Sequence, residues 1–130
     1  MTGPIAQILG AYATAWQAGD LGAIMAAYHD DFILHYFGAN PLAGRHAGKA
    51  VALGVLGDFS RRTNRRLIEI VSVMAGDTRG ALVSRERLGP DDAAIEVERL
   101  LVYRVADGKL AECWVYDSDQ AMIDRLIGPA

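Results

Sequence analysis

The stretch AAIEVERLLVYRVADGKLAECWVY, residues 93–116, decides the fold, because two runs of largely alternating apolar and polar positions flank the dipeptide Asp107-Gly108. A period of two belongs to strands, and Asp-Gly between two such runs is a strong hairpin signal. Toward the N-terminus, RGALVSRERL at 79–88 and LIEIVSVM at 67–74 repeat the pattern, with breaks at Gly76-Asp77 and Gly89-Pro90-Asp91-Asp92. Four successive antiparallel strands are therefore expected from Arg66 onward.

Further upstream the period becomes helical. Pro4 suits a first helical turn, and Ile5, Ile8, Leu9, Tyr12, Ala15 and Trp16 share one face of a helix ending near Gly19. Asp20 can cap a second helix through Leu21, Ile24, Met25 and Tyr28, closed off by Asp30-Asp31. Phe32 to Phe37 then reads as a strand and Gly38 to Gly44 as a structured loop. Lys49 to Arg62 reads as a third helix burying Val51, Leu53 or Leu56, Val55 and Phe59, and Ser118 or Asp119 opens a last helix to Leu126. No repeat, low-complexity tract or linker divides the chain, so residues 1–130 are expected to form one α+β domain with helices on one sheet face.

Composition narrows the function classes. With 52% hydrophobic and 22% charged residues, the chain can build a real core. A net charge of −3 gives no electrostatic case for nucleic acid or an anionic membrane. Cys113 is the single cysteine, which excludes an internal disulfide and a thiolate-rich zinc site and suits a reducing cytoplasm. His29, His35 and His46 lack compact metal-ligand spacing, and no basic, apolar leader or membrane-length apolar run is visible.

Chemistry is suggested first by DDFILHYFGANPLAG, residues 30–44, where an apolar run carries His35 and breaks into a Gly, Asn and Pro loop. Imidazole titrates near neutral pH, so His35 is a candidate proton acceptor, with a satisfied core histidine as the alternative. Arg99 interrupts the apolar set Ile95, Val97, Leu101, Tyr103 and Val105. An inward guanidinium needs a carboxylate or a bound anion, whereas an edge or interface arginine would pair with Glu86 or Glu112. Asp117 ends the last strand beside Trp114 and Tyr116, placed either to orient His35 or to cap the final helix. Tyr12, on the apolar face of the first helix, could stabilise a developing oxyanion or simply fill the core. Trp16, Tyr28, Tyr36, Phe37, Leu42, Val55, Phe59 and Trp114 supply apolar lining for a pocket or a core. Arg61-Arg62 and Arg65-Arg66 read as a solvated basic helix terminus, a hint at an anionic partner.

The order of Gly19-Asp20, Asp30-Asp31, Asn40-Pro41-Leu42-Ala43-Gly44 and Asp107-Gly108-Lys109 resembles the SnoaL-like branch of the nuclear transport factor 2 (NTF2-like) superfamily across essentially the whole chain. The resemblance implies a cone in which a curved, mixed or antiparallel sheet carries three N-terminal helices on its concave face and a short C-terminal helix. It does not imply one activity, since the superfamily includes ketosteroid isomerases, polyketide cyclases, scytalone dehydratase, limonene epoxide hydrolase and noncatalytic members.

Similarity to ketosteroid isomerase, running from Tyr12 to Asp30-Asp31, puts Tyr12 at that family's oxyanion-binding tyrosine. Gapless counting puts Tyr36 at the aspartate base, while counting back from Pro41 and Gly44 puts His35 there. One residue reverses the strand face, and His35, with Ile33 and Phe37 beside it, is the favoured base. The second oxyanion aspartate has no match around Arg99 and Leu100. Against limonene epoxide hydrolase, Arg85 matches the arginine, but Arg87 and Val115 stand at the two carboxylates, with Asp117 two residues on.

The resulting expectation is a cofactor-free acid/base enzyme acting on a small apolar polyketide, terpenoid or steroid-like molecule by isomerisation, cyclisation or dehydration. His35, Tyr12 and Asp117 are its expected catalytic groups, and Arg99 receives a polar substituent. A noncatalytic binding or dimerisation module and a water-activating, epoxide hydrolase-like enzyme are the alternatives. A homodimer through the outer sheet face, using Leu100 and Val102, is also expected.

Overall fold

A computed structural model describes residues 3–130. Helix α1 (Pro4–Ala18) starts on its proline and ends at Gly19, whose φ of 66° is the left-handed conformation that closes a helix without a Cβ clash. Asp20 accepts a hydrogen bond from the Ala23 amide and caps α2 (Leu21–Ala26). The chain then runs through β1 (Tyr28–Tyr36), β2 (Gly44–Ala47), α3 (Lys49–Thr63), β3 (Arg66–Ala75), β4 (Arg79–Leu88), β5 (Ile95–Ala106), β6 (Lys109–Asp117) and α4 (Gln120–Ile127). The six strands form one sheet in the order β2-β1-β6-β5-β4-β3. Among the described residues only the β1 and β6 pairing is parallel, so the sheet is mixed.

The β5–β6 hairpin turns on Asp107 and Gly108, with φ of 54° and 72°. Two positive φ values are the signature of a tight turn whose twist matches its strands. Register follows from it: Ser84, Arg99 and Asp117 lie in one row across β4, β5 and β6, then Leu82, Leu101 and Val115, then Gly80, Tyr103 and Cys113. These rows face the helices and hold the core, with Leu9, Phe32, Leu34, Leu82 and Leu110 fully buried. Gly80 belongs to this packing, because a Cβ there would overlap Leu9, Ile5 and the Met74 carbonyl, and α1 rests on β4 at that point.

Two boundaries differ from the sequence reading. The second helix stops at Ala26 and Tyr28 already belongs to β1, paired with Leu110, because its ring is buried among Tyr12 and Phe32. The short edge strand β2 follows the Gly38–Ala43 loop and pairs with β1 through Arg45 opposite His35. Asn40 and the Ala39 amide tie that loop to Asp124 of α4.

Candidate functional site

A cavity of about 300 Å³ opens between α1, α2 and α3 and the inward rows of β1, β5 and β6. Its walls are chiefly aliphatic and aromatic, with Ile24, Leu53, Leu56, Leu101 and Val115 among them, as is usual for small-molecule sites. Besides Ser60, its polar groups fall into two clusters.

Tyr12, Tyr28 and Tyr103 make the first. The Tyr12 and Tyr28 hydroxyls are hydrogen-bonded to each other, and the Tyr12 ring meets those of Tyr28 and Tyr103 at centroid distances of 5.5 and 5.9 Å. Burial raises the pKa of all three phenols, leaving them neutral donors across the physiological range. Cys113 adjoins them as a neutral thiol, pushed up to about 12 by burial.

Arg65, Arg99 and Tyr36 make the second. Arg99 donates from Nε to Asp117 at 2.7 Å and from Nη2 to Asp117 at 3.1 Å and to the Tyr36 hydroxyl at 3.2 Å. Arg65 donates from Nε and Nη2 to Glu86 at 2.5 and 3.0 Å, and the Ser84 hydroxyl donates to Glu86 at 2.6 Å. Arg99 Nη1 lies 3.5 Å from Glu86 Oε1 and has no hydrogen-bond partner among the described residues. The Arg65 guanidinium sits over Trp16 at 4.9 Å and that of Arg99 over Phe59 at 4.4 Å, so both cations rest on aromatic faces.

The energetics of this cluster are set by its burial. Desolvation pushes the Glu86 carboxyl up, but Arg65 and Arg99, with the hydrogen bonds from Arg65 and Ser84, outweigh it and hold the group at about 2. Desolvation likewise opposes the charge on Arg99, and Tyr36, Glu86 and Asp117 outweigh it. Two cations thus meet two carboxylates, but in layers: Arg65 and Arg99 line the cavity, whereas Glu86 and Asp117 stand behind them. The Arg65 side chain retains 13% exposure and Arg99 none, so Arg65 is the more accessible of the two cations.

The structure redistributes the residues singled out in the sequence. Tyr12, Trp16, Tyr28, Tyr36 and Arg99 line the cavity. His35 does not. The buried face of β1 carries Phe32, Leu34 and Tyr36, so His35 points to the outer face, where it stacks on Trp114 at 5.1 Å and its Nε2 meets Glu112 at 2.5 Å. Its assignment as the pocket base is therefore corrected: the one-residue register puts Tyr36 inside. Asp117 does not orient His35, since its carboxylate is occupied by Arg99. Trp114 lies on the outer face beneath Arg79, and Phe37, 39% exposed, stacks on Tyr116 there. Leu42 is buried away from the cavity wall. Val55 and Phe59 pack in the core behind Leu53 and Leu56, which form the α3 wall instead.

Arg65, Glu86 and Tyr103 were not read as site residues, although the inward alternation Leu82, Ser84, Glu86, Leu88 places a carboxylate in the core. A guanidinium between two carboxylates does exist, built from Arg99, Glu86 and Asp117 and not from Arg85, which pairs with Glu69. Among the described residues no group of three His, Cys, Asp or Glu side chains gathers as a metal site, and no helix is long and apolar enough to cross a membrane.

The whole architecture has solved counterparts. A protein of unknown function with a cystatin-like fold from Xanthomonas campestris is similar at 25% identity and a TM-score of 0.84, covering 98% of this chain and 99% of the other. TerC, co-crystallized with polyporic acid, is similar at 16% identity and a TM-score of 0.77, covering 96% and 98%. A candidate polyketide cyclase from Xanthomonas campestris pv. campestris is similar at 20% identity and a TM-score of 0.72, covering 95% and 96%. No curated protein matches the chain in sequence. The model of the SnoaL-like domain matches residues 9–113, and with the fold described above this chain belongs to the SnoaL-like domain family.

Proposed function

We propose that the chain binds a small, largely apolar carbonyl compound and promotes its isomerisation or cyclisation, without a cofactor, by stabilising the enolate. The observation that carries this reading is the layering at one end of the cavity, with Arg65 and Arg99 in front and their carboxylates behind. Fixed donors in a site shielded from water stabilise a developing oxyanion far better than solvent does.

Among the described residues no imidazole or carboxylate lines the cavity, so the proton is not taken by a dedicated base. An acidic 1,3-dicarbonyl compound, the polyketide-like case, needs none: it loses its proton to water as its oxygen settles among the guanidiniums. In a cyclisation the enolate carbon then attacks a second carbonyl of the same molecule. A carbon–carbon bond forms, the carbonyl π pair moves to oxygen, and a neutral phenol such as Tyr12 donates the proton that the oxygen takes; water reprotonates the phenol. The candidate polyketide cyclase among the similar structures supports this reading. The missing base favours one other reading, a noncatalytic binding module that holds such a ligand without turning it over.

Benzoylacetone tests the proposal. Bound to the protein, its enolate absorbance is expected to appear at least about one pH unit below that of the free compound, as a guanidinium beside an acid requires. Arg65→Gln and Tyr36→Phe are expected to reduce the shift. A probe that binds with an unchanged titration removes enolate stabilisation and leaves the binding module.

A further inference from the structure

The two polar clusters occupy different rows of the same sheet floor. Arg99 lies in the row of Ser84 and Asp117, Tyr103 in that of Gly80 and Cys113, and the aliphatic row Leu82, Leu101 and Val115 separates them. Four residues of extended β5 put the Arg99 and Tyr103 Cα atoms about 13 Å apart. The clusters also differ in kind. At the arginine end Glu86 uses only Nε and Nη2 of Arg65, and Arg99 Nη1, 3.5 Å from Glu86, has no hydrogen-bond partner among the described residues, so the cations are not saturated by their carboxylates. At the phenol end the donors are neutral hydroxyls.

We infer that this cavity selects a two-ended ligand: a singly charged oxygen anion, carboxylate or ionised enol, against Arg65 and Arg99, and a neutral hydrogen-bond acceptor against Tyr103 and Tyr12, joined by a flat apolar spacer. This deepens the enolate reading and rests on it for the arginine end. It adds a second contact and a length. A carboxylate here is not an uncompensated buried charge, because Arg65 and Arg99 line the cavity while the carboxylates of Glu86 and Asp117 lie outside its lining. The spacer is needed because Leu101 and Val115, between the clusters, offer no polar atom.

Isothermal titration of para-hydroxycinnamate, its amide, cinnamate and para-hydroxybenzoate reads both ends and the length. The expected order puts para-hydroxycinnamate about tenfold or more ahead of each of the other three, as one charge-assisted or buried hydrogen bond provides. Arg65→Gln should abolish the preference for the acid over the amide while the amide still binds, and Arg65→Lys should keep part of it. Tyr103→Phe should erase the advantage of para-hydroxycinnamate over cinnamate. Equal binding of acid and amide by the wild-type protein overturns the anion end, and equal binding of the short benzoate overturns the spacing, while either result keeps an apolar binding cavity. If none of the four binds, the cavity itself is not a ligand site and both readings fall.

Discussion

Replacing Glu86 by glutamine keeps the side-chain volume and removes one charge from a group with no solvent exposure. In the wild type that carboxyl is held at about 2 against an ordinary 4.5, because Arg65, Arg99 and Ser84 bind the charged form. The sign follows from linkage: a depressed folded-state value adds stability that is present in full above the unfolded value and is lost as pH falls through 4.5 toward 2. The span between the two values corresponds to about 3 kcal/mol. A similar figure comes from the other direction, since breaking a buried pair by removing one partner typically costs about 3 to 5 kcal/mol. Urea denaturation at pH 7 should therefore find Glu86→Gln less stable by about 3 kcal/mol, and at pH 3 the gap should be narrower by about 2 kcal/mol. A variant within about 0.5 kcal/mol of the wild type at pH 7, which is the range of ordinary surface substitutions, refutes the buried-network account. So does a gap that acid leaves unchanged.

The remaining expectations concern the outer face of the sheet. His35→Ala should leave binding of para-hydroxycinnamate within about twofold, because a side chain on the far side of β1 makes no contact with the cavity; a tenfold loss in titration calorimetry would return His35 to the site. Leu100, 37% exposed and flanked by Trp114 and Tyr116 on the neighbouring strand, sits on the face through which a homodimer is expected. Sedimentation should find the wild type dimeric and Leu100→Glu monomeric at about 50 µM, since a desolvated, unpaired carboxylate costs several kcal/mol at an interface. A monomeric wild type at that concentration removes the dimer.

Much of the fold was legible because it is written in short-range patterns. The period-two runs fixed β4, β5 and β6, Asp107-Gly108 fixed their hairpin, and Pro4, Gly19 and Asp20 fixed the ends of α1 and the start of α2. What escaped is long-range or too short to show a period. The parallel pairing of β1 with β6 joins residues some eighty positions apart, such as Ile33 and Glu112, and no local signal announces it. Gly44–Ala47 is too brief to display alternation and becomes a strand only because β1 offers an edge.

The site was legible in kind more than in position. Both candidate faces of β1 look apolar, but Phe32, Leu34 and Tyr36 are uniformly so, whereas the opposite set contains the ionisable His35; uniformity is the stronger sign of burial. Arg65 was misread because a basic residue after a helix normally serves the helix dipole in solvent. Here the chain turns directly into β3 and swings that side chain under Trp16.

The placement of Arg65 between Glu86 and the cavity links specificity to heredity. A substitution that removed the cation alone, in search of a neutral ligand, would leave a buried carboxylate held only by Ser84 and the more distant Arg99 before any new ligand could compensate. Descendants of such a chain are thus expected to change positions 65 and 86 together or neither, drifting in ligand preference by paired steps through a neutral intermediate such as glutamine at both. Directed evolution toward an uncharged ligand should accordingly start from a library that randomises the two positions jointly, because a change at one of them alone carries a stability cost that the paired change avoids.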